Sequence, residues 1–171
     1  ELGKDTTIAQ LRSEGFKAFL MAIGTQDCKQ LGAEGEDLEG VYEGLEYLRR
    51  TNLGEPTPLG RKVAVIGGGN VALDAARTAR RLGAEEVFVL YRRGLEEMPS
   101  LPEEIADAQD EGIPIHTLTQ PVGFRGSNGK VTTIDCIKMR LGEPDASGRP
   151  RPEPVPDSEF TVEVDAAIVA L

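Results

Sequence analysis

The chain has 171 residues, 39% of them hydrophobic, and a formal net charge of -10. That is the size and polarity of one soluble domain with a core of its own, and its acidity argues against nucleic-acid or anionic-membrane partners, whose phosphates it would repel. Two cysteines far apart (Cys28 and Cys136) and a single histidine (His116) leave no CxxC metal site, and no GxSxG nucleophile turn is written anywhere.

From the N-terminus, Thr6 to Arg12 reads as a short helix and Phe16 to Ile23 (FKAFLMAI) as a buried strand stopped at Gly24. The apolar run Phe19 to Ile23 is far too short to span a bilayer and lacks the flanks of a signal peptide, so the expected compartment is the cytoplasm. Gly32 to Gly40 (GAEGEDLEG) reads as a solvated acidic loop. Val41 to Thr51 places Val41, Leu45 and Leu48 at helical spacing, with Arg49 and Arg50 in the last turn and Gly54 as the stop. EPTPLGRK follows as a turn-rich linker.

Val63 to Ile66 is a short, fully apolar strand, and Val71 to Leu82 carries an apolar side of Val71, Ala75, Thr78, Ala79 and Leu82. Its arginines, Arg77, Arg80 and Arg81, suit the C-terminal end of a helix dipole. Val87 to Tyr91 is the next strand. Pro102 to Asp110 is a helix with proline at its start and acids in its first turn, and Pro114 to Leu118 is a third strand. This β-α-β-α-β order predicts a parallel sheet covered by helices. Beyond it, Asn128-Gly129 marks a hairpin between PVGFR and KVTTIDCIKMRL. GEPDASGRPRPEPVPDS reads as a long surface loop, EFTVEV as a strand with one wet face, and AAIVAL as a return to the buried sheet. The fold class is therefore α/β: a three-layer Rossmann-like dinucleotide-binding domain with an inserted three-stranded antiparallel meander. Chain ends at Glu1 and inside the apolar run at Leu171 suggest a piece of a longer protein.

The turn GGGNVA fits G-x-G-x-x-A through Gly67, Gly69 and Ala72. Gly67 permits a sharp exit from the strand, Gly69 lets a pyrophosphate approach the backbone, and Ala72 lets the helix pack on the strand. Free N–H groups at the helix start then face the phosphates. Asn70 is a good N-cap residue type, although its amide is also placed to face a ligand. The pattern alone is weak, but a strand before it, a helix after it and a second strand at the right distance strengthen it. That second strand ends in LYRRG, with no acid until Glu96 to hold ribose hydroxyls. Arg92 and Arg93 suit the 2′-phosphate of NADPH instead; the alternative is that they cap an exposed strand end.

VAVIGGGNVALDAARTARRLGAEEVFVLYRR, followed by EEMP, PEE and LGEPDASGR, closely resembles the glutamate synthase small (β) subunit family, whose relatives include dihydropyrimidine dehydrogenase and the large subunit of ferredoxin:NADP transhydrogenase. The resemblance implies a flavin domain split by an inserted NADPH domain. Hydride passes from NADPH to FAD, and electrons continue through iron–sulfur clusters to a large or other electron-accepting subunit. It implies that residues 1–25 are a remnant of the split FAD-binding domain, 26–60 a connecting loop and helix, and 61–171 the NADPH-binding domain. It also implies that Gly68, Gly69, Asn70 and Val71, with Gly67, form the pyrophosphate turn, that Arg92 and Arg93 contact the 2′-phosphate, and that Ala170 and Leu171 begin a backbone segment near the nicotinamide. FAD and clusters would be held outside this chain, which would bind NADPH without turning it over; Cys28 and Cys136 match no cluster ligands. Other readings are a nucleotide-binding regulatory module, a transhydrogenase or pyrimidine-reductase type of electron input, and a self-contained dehydrogenase, disfavoured because no Tyr-xxx-Lys pair is evident. His116 reads as a partly buried structural residue. Asp74 either approaches the nicotinamide or a neighbouring domain, or is solvated or paired with Arg77.

Overall fold

Two β-sheets and one layer of helices make up the fold in the computed structural model, which describes residues 2–22, 24, 29–145 and 148–171. The larger sheet has five parallel strands: β1 (Val41–Glu43), β2 (Lys62–Ile66), β3 (Glu86–Leu90), β4 (Ile115–His116) and β8 (Ala166–Val169). Their spatial order is β1-β8-β2-β3-β4. The smaller sheet is an antiparallel meander of β5 (Thr119–Ser127), β6 (Lys130–Pro144) and β7 (Pro150–Glu163). After a short first helix, α1 (Ile8–Ser13), helices α2 (Gly44–Asn52), α3 (Asn70–Arg81) and α4 (Pro102–Asp110) form the third layer.

Strand alternation divides the core. Val63, Val65, Val87, Val89 and Ile168 face the helices and pack on the alanine-rich side of α3, while Ala64, Ile66, Phe88, Leu90, Ala167 and Val169 face the meander residues Phe124, Val131, Ile134 and Cys136. Both faces are covered, which is why β2, β3 and β8 read as continuous apolar runs. The buried stripe of α3 is Ala72, Leu73, Ala75, Ala76 and Ala79, whereas Leu82 is exposed. Small side chains let the helix lie close to the sheet. Arg77 crosses to α4, where its guanidinium donates to Glu104 (2.8 Å), Asp107 (2.8 Å) and Glu111 (2.9 Å). Its hydrogen bond to Glu111 raises its pKa.

The expected parallel sheet, the meander and the Asn128-Gly129 hairpin are all present. Asn128 and Gly129 take φ of 54° and 79°, as a type I′ turn requires. Several local expectations differ. Phe16 to Met21 lies outside any helix or strand, with Phe16 57% and Leu20 92% exposed. Strand propensity alone cannot satisfy backbone donors, and among the described residues no strand pairs with this segment. Its Ile23 lies outside the described residues. Helical spacing from Val41 misled because pairing of Val41, Tyr42 and Glu43 with Ala167, Ile168 and Val169 overrides propensity, and the helix starts only at Gly44. The acidic 32–40 segment runs along the meander: Phe124 N donates to Glu34 O (2.8 Å) and Val131 N to Glu39 O (2.9 Å). The proline-rich stretch from Pro150 is strand β7 rather than loop. Pro150, Pro152, Pro154 and Pro156 alternate, so their missing N–H groups fall on one side, and β7 is an edge strand that needs no donors there. Among the described residues no helix is long and apolar enough to cross a membrane.

Leu73 is fully buried among the helix-face residues. Leu73→Ala is expected to cost about 2–5 kcal/mol by cavity formation, read from urea denaturation at pH 7. Asp165 joins the ends of β2 and β8 by accepting the Arg61 and Lys62 backbone N–H groups (2.7 and 2.9 Å). These bonds, that of Lys62 foremost, hold its pKa below the ordinary carboxylate range. The stabilisation is complete above the ordinary value and disappears as pH falls through the lowered one. Asp165→Ala should therefore lose about 1–3 kcal/mol at pH 7, a deficit that narrows below about pH 4; a gap unchanged down to pH 2 would contradict this.

Candidate functional site

β2, α3 and the strands on either side of β2 meet at the glycine turn. Gly67 leaves β2 with φ 144°. Its N–H donates to Leu90 O of β3 (3.1 Å), while Ala170 N, just past β8, donates to Ile66 O (2.8 Å). A Cβ on Gly67 would strike the Ala170 carbonyl oxygen and crowd the Ala72 methyl at 3.2 Å. A Cβ on Gly68 would enter the Tyr91 ring. Both glycines are thus demanded by packing within the chain. Gly69 is different. Its backbone is extended (φ -91°, ψ 172°), a conformation open to any residue, and a Cβ there would meet nothing within 4 Å. The fold does not need a glycine at 69; the space in front of it is open.

Gly69, rather than Asn70, is the N-cap of α3, and no side chain caps the helix. The N–H groups of Ala72 and Leu73 return to Gly69 O. Those of Gly68, Gly69, Asn70 and Val71 donate to no acceptor among the described residues. The first turn of α3 holds no acid, so the positive helix end is uncompensated. Four consecutive free donors at a helix start are groups to which an anion can bind, and beside them the Cβ position of Gly69 is open space. The Asn70 amide oxygen accepts from Leu101 N (3.3 Å).

The 92–101 segment folds back over this turn. Ser100, buried, donates its hydroxyl to Gly68 O (2.8 Å). Tyr91, whose ring fills the space beside Gly68, donates to Glu97 O (2.7 Å). Neither residue stood out in the sequence. The Ser100 contact spans 32 positions, and no local pattern announces it. Arg92 follows Tyr91 at the end of β3, is exposed, and has no ion pair or hydrogen bond among the described residues. Arg93 points elsewhere: its side chain is 8% exposed, and its guanidinium donates to Asp145 Oδ2 (3.0 Å) and Pro150 O (3.0 Å) on the β6–β7 hairpin.

Ala170 lies beside Gly67, buried, with Leu171 exposed after it. Asp74 is exposed on α3 and does not pair with Arg77, whose three carboxylate partners are on α4 and at its C-cap. His116 is exposed rather than partly buried, because β4 is the edge of the sheet; its ring sits edge-on to Phe88 at 5.6 Å. Cys136 is buried, and desolvation pushes its thiol up to about 12, so it is an unreactive packed thiol. Cys28 lies outside the described residues. Among the described residues no cluster of His, Cys, Asp and Glu is arranged to hold a metal.

Residues 3–170 match the family described as pyridine nucleotide-disulphide oxidoreductase. The chain is 45% identical over 99% of its length to the NADPH-Fe(3+) oxidoreductase subunit beta of Geobacter sulfurreducens, covering 26% of that protein. It is 42% identical, again over 99%, to the NADP(+)-dependent formate dehydrogenase subunit beta of Moorella thermoacetica, covering 24% of it. The glutamate synthase [NADPH] small chain of Escherichia coli is 37% identical over 99% of this chain, which spans 38% of that protein. The chain thus corresponds to between a quarter and two fifths of these relatives. The fold of Mycobacterium tuberculosis FprA, solved in complex with NADPH, matches 100% of this chain and 53% of its own at TM-score 0.80 and 20% identity. The chain belongs to the pyridine nucleotide-disulphide oxidoreductase family, with glutamate synthase small chains among its relatives, as the motifs from Val63 to Arg93 had suggested.

Proposed function

We propose that this chain is the NADPH-binding domain of an FAD-dependent oxidoreductase of the glutamate synthase small-subunit type. Bound NADPH would supply a hydride to a flavin carried on sequence outside this chain, with electrons passing through iron–sulfur clusters to a partner subunit. What this chain contributes is binding and orientation. The observation that carries the reading is the cradle: four unengaged backbone N–H groups in front of Gly69, where the fold itself would accept a side chain. A pyrophosphate accepts from such donors without counter-charge. Arg92, unengaged at the end of β3, takes the 2′-phosphate, and Ala170 and Leu171 line the nicotinamide side across the β2–β8 crevice, the usual ligand position in an open α/β sheet. Glycine turn and arginine thus divide the cofactor between them.

The three relatives named above differ in the reactions in their names, yet NADP(H) appears in all three. This supports a shared nicotinamide-binding unit whose final electron acceptor is chosen elsewhere in the protein. A flavin cradle is a different matter: the four free donors at the start of α3 belong to the single turn from Gly67 to Val71, and this proposal has it occupied by NADPH.

Hydrogen bonds to a charged phosphate are each worth about 1.5–3 kcal/mol, so Arg92 favours NADPH over NADH by about tenfold or more. Isothermal titration of the chain should show that preference, and Arg92→Ala should abolish it by weakening NADPH while leaving NADH within about twofold. Equal affinities in the unaltered chain, or none for either, would overturn the proposal. Gly69→Ala should weaken both cofactors to a similar degree with stability unchanged to within about 0.5 kcal/mol, because the added methyl enters the cradle and touches nothing of the protein.

A further inference from the structure

Arg92 and Arg93 are neighbours in sequence with opposite surroundings. The backbone on either side of Arg92 is pinned. Tyr91 N donates to His116 O (3.0 Å), and Thr119 N donates to Tyr91 O (2.9 Å). On the other side, Leu118 N donates to Arg93 O (2.9 Å), and Met139 N of β6 donates to Leu118 O (2.9 Å). To these main-chain ties the Arg93 side chain adds one that reaches the far end of the β6–β7 hairpin. Its Nε donates to Pro150 O and its Nη2 to Asp145 Oδ2, both at 3.0 Å. Asp145 is in turn part of the hairpin's own closure, accepting from Gly148 N (2.9 Å) and donating its N–H to Arg149 O (2.8 Å).

A buried guanidinium with a carboxylate and a carbonyl as acceptors is already provided for. Drawing it out to a ligand phosphate would leave the Asp145 carboxylate without that partner and the Pro150 carbonyl without its donor, a loss no exposed arginine would incur. Arg92 has no such commitment. We infer that Arg93 is a positioning residue: its latch to Asp145 and Pro150 fixes the segment that carries Arg92, so that the hairpin tip, remote in sequence from the glycine turn, tunes the choice between NADPH and NADH. This rests on the reading of Arg92 as the 2′-phosphate ligand. Preorganising the backbone under a free cationic arm raises affinity by reducing the ordering needed on binding, and only for a ligand that the arm touches.

Asp145→Asn separates this role from direct contact with the phosphate. The substitution leaves Arg93 its charge, loosens its hold and removes a negative charge from the neighbourhood. A phosphate-binding Arg93 would then bind NADPH as well as before or better. A positioning Arg93 predicts the reverse, an NADPH Kd raised about fivefold with the NADH Kd unchanged. Arg93→Ala should match Asp145→Asn, and the double variant should be no weaker than either alone. Thermal melts accompany each titration, since a general structural defect lowers both cofactor affinities and the melting temperature together, whereas loss of positioning moves the NADPH to NADH ratio. Unchanged or tighter NADPH binding in Asp145→Asn, or a far larger loss in Arg93→Ala than in Asp145→Asn, overturns the inference while leaving Arg92 in its role. If Arg92→Ala does not change the cofactor preference, the phosphate reading itself falls and takes this inference with it.

Discussion

The parallel pairing of β8 with β2 is the constraint on which the site depends. Ala166 to Val169 run beside Val63 to Ile66, so the residues that follow the two strands emerge together. Ala170 then binds back to Ile66 and sets its carbonyl where a Cβ on Gly67 would be. The sharp exit at Gly67 is therefore a packing requirement between strands brought together from opposite ends of the domain. The meander lies between β4 and β8 in sequence, and the chain must complete it before it can return to the middle of the sheet. It covers one face of that sheet on the way, and helices cover the other. Cover on both sides keeps water from the backbone ladder and leaves the strand ends as the place where a ligand meets unengaged backbone.

The three glycines of the turn do different things, and only their surroundings distinguish them. Gly67 is required by a neighbouring strand, Gly68 by an aromatic ring, and Gly69 by nothing in the chain. The sequence pattern had assigned the close approach of phosphate to Gly69, and the open space there is consistent with it. The pattern could not reveal the role of Tyr91 beside Gly68, because that contact depends on how β3 ends next to β2. Nor could it reveal Ser100, whose hydroxyl holds the Gly68 carbonyl from across the folded-back 92–101 segment. That bond fixes the orientation of the peptide plane linking Gly68 to Gly69, and with it the direction in which one of the free donors points.

Legibility followed the range of the determining interaction. Apolar strands beside a glycine turn, a proline-started helix and an Asn-Gly hairpin are local signals, and β2, α3, β3, α4 and the β5–β6 turn could be read from them. Elements decided by pairing partners could not. Val41 to Glu43 has helical spacing but joins β8. The prolines from Pro150 to Pro156 look like loop until their alternation is matched to an edge strand. Phe16 to Met21 has strand composition but pairs with no strand among the described residues. For the site the same rule divides two adjacent arginines. Nothing in YRR distinguishes Arg92 from Arg93, because the difference lies in an aspartate and a carbonyl on a hairpin more than fifty positions away.

That division matters for how such a module maintains cofactor choice. On the proposed reading, affinity for any dinucleotide comes from backbone donors of a turn locked between three strands, where a side chain matters only if, as at Gly69, it intrudes on the open space before them. Discrimination rests on one exposed arginine, and its quality is set by what holds the segment beneath it: Tyr91 and Ser100 on the glycine-turn side, Arg93 on the hairpin side. A chain with a net charge of -10 repels a polyanionic cofactor at long range, although salt screens that field within about 10 Å. Local geometry therefore has to outweigh the global field, through an uncapped helix start with no acid in its first turn and an unengaged cation whose backbone is pinned on both sides. A more flexible arginine would carry the same charge and lose part of its effect to the entropy of being ordered at each binding event. On the inference drawn for Arg93, its latch to Asp145 is where that ordering is done in advance.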